Sequence, residues 1–106
     1  MLRILEYVSP EKAIENNRRF DVGDILGMEF FFNCDEDFFL FTKTCKDSLK
    51  DFESLSYGYF RSLFGYDATL EHEQIGWTDN FFDVAHHLDG YHSITVFSNP
   101  TRLDLQ

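Results

Sequence analysis

The sequence predicts an α+β fold: a single acidic domain over residues 1–106, with a small, mostly antiparallel sheet covered by three to four helices in two layers. Three observations predict it. Helix-period segments alternate with short strand-type segments in the rough order β-α-β-α-(α)-β-α-β. A length of 106 residues suits one hydrophobic core. The 13 Phe, 5 Tyr and 1 Trp supply large apolar side chains to fill it. No linker-like Gly/Ser/Pro tract divides the chain, and no repeat of about 20–50 residues is present.

Each element follows from local chemistry. Leu2 to Val8 is short and apolar and suits a first strand. Ser9-Pro10 then starts a helix, because serine caps free N–H groups and proline tolerates the first helical position. Glu11 and Glu15 precede Arg18 and Arg19, an order that complements the helix dipole, so this helix is placed at 10–19. Asp21-Val22-Gly23-Asp24 reads as a turn. Ile25 to Asn33 reads as a buried strand, with Met28, Phe30 and Phe32 on one face and Phe31 on the other.

After the acids Asp35, Glu36 and Asp37, the residues Phe38, Phe41, Cys45, Leu49 and Phe52 recur at steps of three or four. That stripe predicts a helix over about 35–53. The rival is a hairpin pairing Phe30–Phe32 with Phe38–Phe41, but the pattern outruns ordinary strand length. Ser56 to Phe64 suits a short helix or loop with Phe60, Leu63 and Phe64 inward and Gly65 as its stop. Ala68 to Trp77 reads as a partly exposed strand. Thr78-Asp79 reads as the cap of a further helix, with Phe81, Val84, Ala85 and Leu88 as its apolar stripe and Gly90 as its end. Tyr91 to Phe97 is rich in β-formers and suits a last strand. Asn99-Pro100 is a turn, followed by a tail.

Charge is the most informative number. Nine Lys and Arg against 19 Asp and Glu give a net −10, beyond the magnitude of about 2–8 that keeps a small domain soluble. Direct binding to nucleic acid or to an anionic membrane needs a positive face, so both are expected to be absent. The acids are also gathered. Residues 21–37 hold six acids and no base, and between Arg61 and Arg102 lie Asp67, Glu71, Glu73, Asp79, Asp83 and Asp89, again without a base. Such tracts on one face make an electrostatic docking surface for a cationic partner. The expected partner-binding residues are Asp35, Glu36, Asp37, Asp67, Glu71, Glu73, Trp77, Asp79 and Asp83. Tyr57, Tyr59 and Tyr66 join Trp77 as candidate exposed anchors, since Tyr and Trp dominate binding hot spots.

Catalytic patterns are sparse. His72, His86, His87 and His92 fall close together in sequence among Glu71, Glu73, Asp83 and Asp89. A metal-dependent or hydrolytic enzyme centred there is the alternative function. However, no HExxH, zinc-finger or EF-hand spacing is present, and adjacent histidines on a helix diverge. No G-x-S-x-G elbow or Gly-rich phosphate loop occurs. No cofactor is expected. Cys34 and Cys45 lack C-x-x-C spacing and suit a reduced chain, with Cys45 on the apolar stripe as core. No signal-peptide pattern or apolar run of membrane-spanning length is seen, so a cytoplasmic location is expected.

In size, in its −10 charge, and in acidic tracts such as Asp35-Glu36-Asp37 beside candidate aromatic anchors, the chain resembles bacterial immunity proteins of contact-dependent inhibition and related toxin systems. The resemblance covers the whole chain as a type and carries no diagnostic motif. It implies a tight complex with a basic, often nuclease-type, toxin domain, whose active or substrate-binding surface the acids would block. A nucleic-acid-mimicking inhibitor is the neighbouring alternative.

Overall fold

Ser9 and Pro10 open the first helix, α1 (Pro10–Val22): the Ser9 hydroxyl accepts from the Lys12 N–H at 3.3 Å. The computed structural model describes residues 3–4 (backbone only), 9–32, 34–88 and 90–103. Helix α1 runs past the predicted end at 19 and through the predicted turn at Asp21–Val22, to Gly23 at φ 81°. Tertiary contacts explain the extra turn. The Tyr57 hydroxyl and the Arg61 guanidinium both donate to the Phe20 carbonyl, and His72 Nε2 donates to that of Asp21. Carbonyls that an isolated helix end leaves open are thereby satisfied.

The remaining elements are β1 (Arg3–Ile4), β2 (Glu29–Phe32), α2 (Asp35–Asp51), β3 (Leu55–Ser56), α3 (Tyr57–Leu63), α4 (Leu70–Glu73), β4 (Ile75–Trp77), β5 (Phe82–His86), β6 (His92–Val96) and β7 (Thr101–Arg102). The architecture is α+β, with four helices and two small antiparallel sheets among the described residues. The larger sheet has the order β1-β2-β6-β5. Its register sets Phe30 beside Ile94 and Ile94 beside Val84, and Phe32 beside His92 and His92 beside His86. Paired residues share a face, so Phe30, Phe32 and Ile94 point together into the core. Helix α2 covers that face with Phe38, Phe41 and Cys45, and the hairpin alternative does not form. Its apolar stripe ends at half-buried Leu49. Phe52 caps the helix and is 77% exposed, against expectation.

Three expectations are corrected. Residues 78–90 are not a helix. The Asp79 carboxylate accepts from the Asn80 N–H, and the Asn80 amide donates to the Phe82 carbonyl, which makes a turn instead of an N-cap. The segment then enters β5 and pairs along β6. Phe81 and Phe82 are both buried, whereas Val84 and Leu88, expected on the helical stripe, are exposed. Gly90, at φ 89°, serves the β5–β6 hairpin and donates to the His87 carbonyl. Residues 68–77 form a four-residue helix followed by β4 rather than one strand. Part of the expected tail is β7, which pairs with β4 beside β3 as a second sheet. Gly76 allows that sheet to close, since a Cβ there would lie 2.1 Å from the Leu55 carbonyl oxygen. Of the predicted first strand, Arg3–Ile4 pairs with Phe31 and Phe30; Leu2, Leu5, Tyr7 and Val8 lie outside the described residues.

Phe60 is the centre of the core, with rings of α1, β2, α2 and the second sheet around it. Cys45 is fully buried there, and burial pushes its thiol up from 9.0 to about 12. Burial also raises the Tyr57 hydroxyl. The sign of the linkage follows. Between pH 9.0 and about 12 the unfolded chain releases the Cys45 proton while the native chain keeps it. Stability is therefore complete below pH 9 and falls as pH rises, by on the order of 1 kcal/mol at pH 10 for this group alone. Urea melts of the parent and of Cys45→Val should show that extra loss in the parent only. In the native state a thiol reagent at neutral pH should label exposed Cys34 and spare Cys45.

Candidate partner-binding groove

Helix α2 carries a second stripe outside its buried one. Asp37, Leu40, Thr44, Asp47 and Asp51 also recur at steps of three and four and line one side of an open groove. The groove has two parts that meet at Thr44. One, of about 340 Å³, is lined by Leu40, Phe41, Leu63, Phe64 and Gly65, with Asp37 at its edge. The other, of about 640 Å³, is lined by Asp47, Asp51 and Glu73 together with Phe52, Tyr59 and the hydroxyls of Ser48, Ser54 and Ser56. Among the described residues no Lys or Arg lines either part.

Glu73 reaches the groove from α4. Ser56 Oγ, which caps α3 by accepting from the Tyr59 N–H, also donates to Glu73 Oε2 at 3.2 Å. Gly58 makes the room: a Cβ at that position would lie 2.2 Å from Glu73 Oε1. Asp47 is engaged by Lys43 at 2.6 Å, and that bond, followed by the Asp47 charge, raises the lysine above its ordinary value. Both partners are exposed, so the pair holds weakly.

The nine predicted site residues are not gathered in one place. The groove brings together Asp37 and Glu73. Asp35 and Glu36 sit in the first turn of α2, and Asp35 accepts from His92 Nε2 at 2.5 Å. Asp67 follows α3, its backbone carbonyl accepting from Arg61 Nε, and Glu71 is exposed on α4. Asp79 borders a small polar pocket with Asn80, Ser98 and Asn99, and Asp83 is exposed on the edge strand β5. Asp89 lies outside the described residues. Among the described residues, Lys and Arg ion pairs go to Glu15, Asp21, Asp24 and Asp47. None reaches Glu36, Asp67, Glu71, Glu73, Asp79 or Asp83.

Trp77 is a correction. It is 4% exposed, stacks on Phe81 at 3.7 Å and donates its indole N–H to the Ser98 carbonyl, so it is core rather than an anchor. Tyr57 is fully buried and is corrected likewise. Tyr59 and Tyr66 are exposed, but only Tyr59 lines the groove; Tyr66 covers the Arg61 guanidinium. The sequence reading missed Leu40, Asp47 and Asp51. Their signal was the second stripe, hidden because Lys43, Lys46 and Lys50 alternate with those acids along the chain.

The histidines occupy three separate settings. His72 completes a capping box on α4: its Nδ1 accepts from the Thr69 N–H, which leaves the Nε2 proton for Asp21. His86 and His92 meet across β5 and β6 with their Nδ1 atoms 2.6 Å apart, and His92 stacks on Phe38 at 4.5 Å. With Nε2–H of His92 donated to Asp35, its Nδ1 accepts from Nδ1–H of His86. His87 points to the opposite face and meets Ser93, whose hydroxyl donates to Glu29 at 2.6 Å. Because the Ser93 proton goes to Glu29, His87 is not placed as its base. The neighbours diverge because His86 ends strand β5 and His87 follows it into the hairpin, rather than both standing on a helix as predicted. Among the described residues no three His, Cys, Asp or Glu side chains are grouped to hold a metal ion, and no helix is long and apolar enough to cross a membrane. No family model matches the chain, and it matches no curated protein and no solved structure.

Proposed function

We propose that this chain is an acidic inhibitor that docks on a basic protein partner, as an immunity protein docks on a nuclease-type toxin domain, and blocks the partner's active or substrate-binding surface in the cytoplasm. One observation carries the reading: the α2–α3 groove sets Asp37, Asp47, Asp51 and Glu73 around apolar side chains, with no Lys or Arg among the described residues lining it. Carboxylates at the rim steer a cationic surface and speed encounter, while exposed Leu40, Phe52 and Tyr59 offer the apolar area that slows dissociation. A surface built to hold phosphates is the complement of such a groove.

The test takes as partner the basic protein that co-purifies with the tagged full chain from its native host. Association should slow by about tenfold between about 50 and 200 mM salt, and Asp51→Lys with Glu73→Lys should weaken binding by at least about tenfold. A complex indifferent to both salt and charge reversal would refute electrostatic docking, as would no complex at all.

A further inference from the structure

We infer that the groove reads a two-point feature of its partner: an apolar side chain seated beside Leu40 and Leu63 and, about 16 Å further along α2, an arginine whose guanidinium lies between Asp51 and Glu73 against the Tyr59 ring. This rests on the docking reading above and names the chemistry that the groove accepts. The two parts of the groove differ in kind. The part at Leu40 is apolar apart from Asp37 at its edge, whereas the part beyond Thr44 carries three carboxylates. Leu40 and Asp51 are eleven positions apart on one helix, a separation of about 16 Å at the α-helical rise. A partner strand spans that distance in about five residues.

Arginine fits the acidic part better than lysine. Asp51 and Glu73 come from different elements, and Asp47 is already held by Lys43. A planar fork can bond two separated carboxylates at once, and a point charge does so poorly. Tyr59 and Phe52 present partly or largely exposed rings at the same place, and guanidinium stacks on such rings. The Glu73 carboxylate is positioned beforehand by Ser56 and by the side-chain-free Gly58 within α3. Glycine inside a helix is unfavourable, so its presence gains meaning from the carboxylate it admits. A second copy of this chain is a poor occupant, since both surfaces would be acidic at a net −10 each.

The probe is the capped peptide acetyl-Leu-Ala-Ala-Ala-Ala-Arg-amide, titrated into the 15N-labelled full chain and followed by amide shifts. Shifts are expected at residues 40–51, 56–59 and 73. Replacing the arginine by citrulline, which keeps the shape and removes the charge, should weaken binding by about fivefold or more, and lysine should weaken it by about threefold. Replacing the leucine by glycine should abolish the shifts near Leu40. Gly58→Ala displaces the Glu73 carboxylate without deleting it, so it should weaken the arginine peptide about as much as Glu73→Gln does, with the melting temperature lowered by no more than a few degrees, since the new Cβ also meets the Ala68 Cβ at 3.0 Å. Citrulline binding as well as arginine, or shifts that map elsewhere, would overturn the inference. If the protein partner binds with the salt and charge-reversal response above, but lysine equals arginine and Leu40→Ser is neutral, the two-point feature fails and the docking reading stands. If the protein partner ignores salt and charge reversal, the docking reading falls with it.

Discussion

Truncating Phe60 to alanine should remove about 4 kcal/mol of stability and lower the melting temperature by about 20 °C. Phe60 is fully buried at the point where every layer meets. Its ring centroid lies 5.1–6.3 Å from those of Phe20, Phe30, Phe41, Phe64, Trp77 and Phe81, mostly edge-on or tilted. The substitution loses the transfer free energy of the ring, the edge-to-face attraction and the contacts across the resulting cavity. Rigid rings on several elements cannot all collapse into the space. Phe60→Leu keeps most of the volume and should cost about 1.5 kcal/mol. Chemical and thermal melts followed by circular dichroism decide it. A loss below about 1 kcal/mol for the alanine variant would show that Phe60 is not the keystone of this core. Because typical domains hold only about 5–15 kcal/mol, the alanine variant should be close to unfolding at body temperature.

Replacing Arg61 by methionine should cost about 3 kcal/mol, although the hydrophobic stem is kept. Arg61 is 6% exposed and serves three partners: Nε donates to the Asp67 carbonyl at 3.0 Å, and one terminal nitrogen donates to the Phe20 carbonyl at 3.3 Å and to Asp21 at 3.2 Å. Its guanidinium lies over Phe20 at 4.9 Å and Tyr66 at 5.5 Å. The positive charge also faces the C-terminal end of α1, where the helix dipole favours it. Methionine leaves the Asp67 carbonyl short of a donor and removes the ring contacts. Lysine should not restore the loss, because a single ammonium cannot span these separated acceptors. Asp21→Asn should cost less than about 1 kcal/mol, since that carboxylate is exposed and the carbonyl bonds remain. Equal losses for Arg61→Met and Asp21→Asn would mean that the ion pair, not the carbonyl bonding, holds α1 to α3.

Much of the fold was legible because local chemistry and burial agree in its first two-thirds. Ser9-Pro10 opens α1, Phe38, Phe41 and Cys45 bury one side of α2, and Gly65 lies just beyond α3. The reading failed at 78–90 because Phe81, Val84, Ala85 and Leu88 satisfy a helical spacing by coincidence. A strand was offering Ser93, Ile94 and Thr95 as backbone partners, and that pairing outweighed the spacing. The site was legible in charge but not in place. The acidic tracts point to Asp37 and Glu73, which border the groove, whereas Trp77, an expected anchor, is interior. An aromatic residue's type tells how much area it can bury, not which neighbour will cover it.

By itself the sequence determined the α+β class, the aromatic character of the core and the surplus of negative charge. Composition and short-range spacing control those properties, and no long-range contact is needed to read them. Only the tertiary structure decided that Tyr57 and Trp77 face inward, that residues 82–86 form a strand, and that Asp47, Asp51 and Glu73 border one groove. These depend on how α2, α3 and α4 pack, and packing is set by contacts between residues far apart in the chain.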